Sequence, residues 1–265
     1  MEKKLWKHIL SVRQQSPLVH NITNYVVMNT TANALLAVGA SPIMAHSQLE
    51  VEEMVNISNA LVINIGTLDE YWSEAMLMAA KTANHTHKPW ILDPVGAGAT
   101  SLRDNLLPLL LSHGPTVIRG NASEIIALNK ANKTTTKGVD STASSNEAID
   151  AARNLASKYH NTVCISGETD IIISEQQTVY IHNGHSLMTK VTGLGCSATA
   201  IIGAFLGSID NVSEAVIAGM GLLGVAGEIA AKESSGPGSL QVNLIDKLYT
   251  ITEEEFMDHI KISSL

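Results

Sequence analysis

Short apolar runs recur along this chain, and nearly every one stops at a polar residue or a glycine. Ala60–Ile65 (ALVINI) ends at Gly66, Pro89–Leu92 at Asp93-Pro94, Thr116–Ile118 at Arg119-Gly120-Asn121, and Thr162–Ser166 at Gly167. Runs this short and continuous read as strands buried on both faces. Shorter apolar pieces, Leu18–His20 and Ser41–Ala45, read as further strands. Between the runs lie segments with helical spacing: Met1–Gln15, Tyr25–Val38 closed by Gly39, Glu50–Asn59, a helix capped by Asp69 and running to about Asn84, Leu102–Ser112, Ala122–Asn129 and Asn146–Tyr159. Strands that alternate with helices predict an α/β fold, a mostly parallel central sheet with helices on both faces. Ligands of such sheets sit beyond the carboxyl ends of the strands, so the residues that end the runs point to one shared site.

The later part of the chain follows a different pattern. Ile171–Ser174 and Thr178–His182 flank Glu175-Gln176-Gln177 and predict an antiparallel hairpin. Lys190–Gly207 (KVTGLGCSATAIIGAFLG) then reads as a glycine loop that feeds a buried helix. The first N–H groups of a helix lack partners inside it, and the helix dipole is positive there. Gly193 and Gly195 allow a ligand close to that backbone, which makes the turn from Gly193 to Cys196 an anion site suited to phosphate. A glycine-rich turn around a small buried cysteine is the plainer reading of the same residues. At the mouth of such a site the positive helix end lowers the thiol pKa expected for Cys196. Helices over Ser213–Lys232 and Leu240–Ile251 follow, with a polar tail from Glu253 that has room for one more.

Composition narrows the function. The chain of 265 residues has 45% hydrophobic and 16% charged residues and a net charge of −8. It can bury a large core, and it lacks the basic surface that nucleic acid requires. An anionic ligand must therefore be held by local donors or a metal. The two cysteines, Cys164 and Cys196, make neither a disulfide framework nor a zinc spacing. MEKKLWKHIL has no signal-peptide core, and the most apolar stretches, Ala198–Leu206 and Ala215–Ala231, are short or glycine-broken. A cytoplasmic protein without a membrane partner is expected, built as a single domain over residues 1–265. The polar stretch Lys130–Ser145 has the composition of a mobile cover.

Several of the residues that end the runs carry chemistry. Asp93 suits Mg²⁺, directly or through water, or a turn cap. Glu124 lies three residues after Asn121 at the start of a helix, where a capping box explains it and a chemical role is the alternative. Arg119, after a buried strand, suits phosphate oxygens. Ser166 suits a phosphate or a base edge, or an ordinary turn. Met44 is either core or the wall of an apolar pocket. No G-x-G-x-x-G follows the first strand, which argues against a dinucleotide dehydrogenase.

Taken together, HNITNYVV (20–27), GASPIMA (39–45), NIGTL (64–68), DPVGAGAT (93–100), IRGNASEI (118–125) and VTGLGC (191–196) resemble the hydroxyethylthiazole kinase family, in order and over nearly the whole chain. The resemblance implies a ribokinase-like three-layer sandwich. It implies transfer of the ATP γ-phosphoryl group to the alcohol of 4-methyl-5-(2-hydroxyethyl)thiazole for thiamine salvage, with Mg²⁺, in a homotrimer with interfacial sites. It implies thiazole contacts at Met44 and Gly193 and nucleotide contacts at Arg119 and Ser166. Asp93 and Glu124 would handle Mg²⁺ and phosphate. Cys196 would stand where most ribokinase-like enzymes place an aspartate base. Leu194 departs from the family's usual Gly-Thr-Gly-Cys, which removes a hydroxyl and leaves the backbone donors.

Overall fold

The computed structural model describes residues 2–131 and 145–264. Most of the Lys130–Ser145 stretch lies outside those residues. The described strands form one sheet in the order β2-β1-β3-β4-β5-β6-β7-β8-β9. Strands β1 (Leu18–Ile22), β2 (Ser41–Ile43), β3 (Ala60–Asn64), β4 (Trp90–Asp93), β5 (Val117–Asn121) and β6 (Thr162–Ser166) are parallel. Strands β7 (Asp170–Ile173), β8 (Thr178–Ile181) and β9 (Ile262–Ser264) continue the sheet antiparallel. The expected hairpin is β7–β8. The tail adds β9, too short and too exposed to leave a periodicity in the sequence.

Alternation along the strands assigns the two faces. Val62 of β3 points to one core and Leu61 and Ile63 to the other, all three buried. The Val62 face is covered by α1 (Glu2–Gln15), α2 (Met28–Val38), α8 (Leu194–Leu206), α9 (Val212–Lys232), α10 (Pro237–Thr250) and α11 (Glu253–His259). The Leu61 face is covered by α3 (Val51–Ile57), α4 (Glu70–His85), α5 (Ser101–Leu111), α6 (Ala122–Ala131) and α7 (Ser145–Tyr159). Helix α9 is apolar and long enough to cross a membrane, yet it is wrapped almost entirely by the core.

Helix α2 starts at Met28, three residues later than its periodicity suggests. Asn24 is the reason. Its Oδ1 accepts the Val26 N–H at 3.1 Å and its carbonyl accepts the Val27 N–H at 3.2 Å, which forms a turn before the helix. Gly39 closes α2 at φ 93°, as expected.

Helix α8 packs close to the sheet because Gly203 faces it. A Cβ there would stand 2.6 Å from Val62 Cγ2 and 3.2 Å from Val19 Cγ1. Both valines are buried and cannot yield. Gly203→Ala is therefore expected to cost roughly 1–3 kcal/mol, read as a lower urea midpoint at unchanged slope.

Candidate active site

Each parallel strand ends in a residue that faces one rim of the sheet. In spatial order these are Met44 after β2, Asn24 after β1, Asn64 on β3, Asp93 on β4, Arg119 on β5 and Ser166 on β6. The glycine loop lies across this row. Gly193 caps α8 at φ 80°, and a Cβ on it would overlap Val27 Cγ1. The N–H groups of Leu194, Gly195 and Cys196 open the helix and have no carbonyl four residues back within it. The Arg119 guanidinium lies directly against the loop: a Cβ on Gly195 would be 2.9 Å from Nη1. Fixed cation and helix terminus thus converge on one spot, as an anion site requires.

Asp93 is the centre of the buried network. Its Oδ2 accepts from Asn64 Nδ2 and from Thr199 Oγ1, each at 2.7 Å, and lies 3.9 Å from Arg119 Nη1. Its Oδ1 is buried and has no partner among the described residues. Burial pushes its carboxyl up to about 6; Arg119, Thr199 and Asn64 pull the other way, and the charge of Glu124 adds to the rise. Arg119 Nη2 donates to Ser166 Oγ at 2.7 Å, which joins the ends of β5 and β6.

Glu124 forms the capping box: Asn121 N–H donates to Oε2 at 2.8 Å and Glu124 N–H to Asn121 Oδ1 at 3.0 Å. Its Oε1 also accepts the Gly96 N–H at 3.0 Å, tying the turn after β4 to α6. Arg103 holds the same rim from below, donating to the carbonyls of Ile65, Val95 and Gly66. Two unlike positions thus receive one carboxylate each, and among the described residues no group of three or more His, Cys, Asp or Glu is arranged to hold a metal. Mg²⁺ fits such a site, because it keeps waters and binds through one or two carboxylates plus substrate phosphates. The orphaned Asp93 Oδ1 and the mutual repulsion of Asp93 and Glu124 are what a cation there would relieve.

Cys196 stands half-buried in the first turn of α8, and Asn24 Nδ2 donates to its Sγ at 3.4 Å. The thiol pKa is raised, not lowered as its place at a helix N-terminus suggested. Burial and the neighbouring Asp93 outweigh Asn24, Asn64 and Arg119, which act the other way. Cys164 is buried in β6 and its thiol is also pushed up. Leu194 turns its side chain toward the apolar core, beside a cavity of about 260 Å³ between α2, α8 and α10.

Asp93, Arg119, Ser166, Gly193, Gly195 and Cys196 come together, with Glu124 one turn away. Met44 stands apart. It lies three strand positions from Asp93, about 14 Å at ordinary strand spacing, at the same rim. Asn24, Asn64 and Thr199 carry no signal of their own beyond their places after β1, on β3 and in a run of small residues.

The charge on Asp93 has a consequence for stability. Its folded pKa, about 6, lies above the ordinary 3.8. Ionising it therefore costs the folded state, and that cost grows as pH rises from about 4 to about 6 and is complete above. Asp93→Asn escapes it. In EDTA the variant is expected to raise the unfolding free energy from urea titration at pH 8, by at most roughly 3 kcal/mol, with the gain gone near pH 4. Activity is expected to be lost at both.

Known proteins share this sequence and this fold. A family model described as the hydroxyethylthiazole kinase family matches residues 9–254. The hydroxyethylthiazole kinase of Syntrophus aciditrophicus is 54% identical over 258 residues, 97% of this chain and 96% of that protein. That of Photobacterium profundum is 52% identical over 254 residues, 96% of this chain and 91% of that protein. A solved hydroxyethylthiazole kinase structure from Pyrococcus horikoshii superposes with a TM-score of 0.92 at 41% identity, covering 99% of both chains. A pyridoxal kinase from Staphylococcus aureus shares the fold at a TM-score of 0.64 and 13% identity, over 94% of this chain and 97% of that one. The sandwich is thus the ribokinase-like one, and the chain belongs to the hydroxyethylthiazole kinase family.

Proposed function

We propose that this chain, as one domain over residues 1–265, transfers the γ-phosphoryl group of ATP to the hydroxyl of 4-methyl-5-(2-hydroxyethyl)thiazole, for thiamine biosynthesis by salvage. The observation that carries this is the convergence of the Arg119 guanidinium and the α8 N-terminus on one spot beside buried Asp93. Phosphoryl transfer needs little covalent help from the protein and depends on positioning and on offsetting charge. Arg119 and Ser166, at the β5–β6 end of the row, hold the nucleotide. Met44, at the β2 end, and Gly193 form the wall against which the thiazole lies. Asp93 and Glu124 would hold Mg²⁺, which would supply positive charge to offset that of the phosphates.

Cys196 faces the acceptor hydroxyl. A thiol with a raised pKa is a poor base at neutral pH, so its main work is to hydrogen-bond and aim that hydroxyl. Cys196→Ala is accordingly expected to lower kcat by roughly tenfold to a hundredfold without abolishing turnover. Cys196→Asp keeps an acceptor at the site and is expected to retain or exceed wild-type kcat. Steady-state kinetics check both.

The exposed apolar side chains Tyr25, Val26, Leu49 and Tyr71 ring this rim, and Leu49 is 92% exposed. They support a homotrimer whose interfaces border the active sites. The working compartment is the cytoplasm, and neither nucleic acid nor membrane is a partner. The test is a substrate panel at saturating MgATP. The expected result is a kcat/KM for the thiazole alcohol at least a hundredfold above that for pyridoxal or a hydroxymethylpyrimidine. A reversed order overturns the substrate assignment.

A further inference from the structure

We infer that Asn24 is a positioning residue that sets the Cys196 sulfur for the acceptor hydroxyl, as the end of a one-way amide relay from Asp93. The inference rests on the reading of Cys196 just given. Asn24 Nδ2 donates to Asn64 Oδ1 at 2.8 Å and to Cys196 Sγ at 3.4 Å, and Asn64 Nδ2 donates to Asp93 Oδ2 at 2.7 Å. Both amides are buried, Asn24 at 5% exposure and Asn64 at 1%.

Backbone donors fix which way each amide faces. Val26 N–H donates to Asn24 Oδ1 at 3.1 Å, and Gly66 N–H to Asn64 Oδ1 at 3.0 Å. Each oxygen therefore faces a backbone N–H, and each NH₂ must face its acceptor, Cys196 or Asp93. Reversing either amide would set two donors against each other in a buried space. The sulfur accepts from Asn24, which fixes its place beside the acceptor hydroxyl. The relay is also packed in place. A Cβ on Gly66 would stand 2.7 Å from Asn24 Nδ2, so the chain gives up a side chain at residue 66 to admit the Asn24 amide.

Asn24 touches Cys196 directly and reaches Asp93 by way of Asn64. A double-mutant cycle with Cys196 isolates the direct route. Wild type, Asn24→Ala, Cys196→Ala and the double variant are compared by kcat and by KM for ATP and for the thiazole alcohol. Asn24→Ala alone is expected to lower kcat about tenfold with both KM values within about twofold. In the Cys196→Ala background the same change is expected to alter kcat less than twofold.

Equal losses in the two backgrounds overturn the inference, as does a loss confined to KM for the thiazole alcohol, which would mean direct substrate contact. If Cys196→Ala alone matches wild type, the role of Cys196 fails and this inference falls with it. If Cys196→Ala is impaired and the two losses simply add, only the relay is wrong. Asn24→Asp keeps the shape and the bond from Val26 N–H while replacing the donor. Run through the same cycle, it gives the answer should the alanine variant not fold.

Discussion

Arg119→Ala is expected to lower kcat/KM for ATP by roughly a hundredfold to a thousandfold, the range seen when one preorganised charge-stabilising donor is removed. The reasons lie in its contacts. Nη2 joins Ser166, Nη1 lies 3.9 Å from Asp93, and the guanidinium fills the space beneath Gly195 that any side chain there would need. An acidic chain has no general field to draw an anion, so local charge such as Arg119 and the α8 terminus must do it. The loss has a second signature. Arg119 is the largest influence holding the Asp93 pKa down against burial. Without it Asp93 keeps its proton to a higher pH, and the acid limb of the activity profile is expected to move upward. Arg119→Lys keeps the charge but cannot span Ser166 and the loop together, so partial recovery of rate is expected. Kinetics of the three proteins across pH 5–9 check all of this. An alanine variant within fivefold of wild type, with an unmoved acid limb, would contradict it.

Gly193→Ala is expected to damage both stability and turnover. At φ 80° an alanine sits in the left-handed region, at a cost of roughly 1–2 kcal/mol. Its Cβ would also overlap Val27 Cγ1, and Val27 is only 2% exposed, so overpacking adds roughly 1–3 kcal/mol. The strain is relieved by moving the loop. A displacement of about 1 Å in groups that place the transferred phosphate costs on the order of a hundredfold in rate. Urea unfolding and kcat, measured well below the transition temperature, are expected to fall together. Gly195→Ala provides the contrast: it is free of backbone strain and lies near Arg119 Nη1, the far end of a flexible side chain, so it is expected to lose rate with much less stability.

What the chain discloses before it folds, and what it conceals, follows from distance along the sequence. β3, β4 and β6 are legible as continuous apolar runs because both of their faces are covered, by α8 and α9 on one side and α4 to α7 on the other. Asp93, Arg119 and Ser166 are legible because a charge or hydroxyl that ends such a run needs a reason. The glycine loop is legible as a helix start with no side chain over it. The Asn24–Asn64–Asp93 relay is not. It depends on β1 lying beside β3 although α2, β2 and α3 come between them in the chain, and no local pattern announces that. The direction of the Cys196 shift fails for the same kind of reason. A helix terminus alone lowers a thiol pKa, but Asp93, brought by a strand about a hundred residues earlier, and the burial of the site reverse it. β9 and the late start of α2 were hidden by three-residue stretches, too short to show a period.

The measurement that bears most directly on phosphoryl transfer at this site uses ATP labelled with ¹⁸O in the γ-phosphoryl group. Purified protein, Mg²⁺ and 4-methyl-5-(2-hydroxyethyl)thiazole are mixed with it, and the products are weighed by mass spectrometry. A thiazole phosphate carrying the γ-phosphoryl label, formed with ADP in equal amount and far more slowly by Arg119→Ala, is the expected result. Hydrolysis of ATP to unattached labelled phosphate, or nucleotide binding with no phosphorylated alcohol, would contradict it.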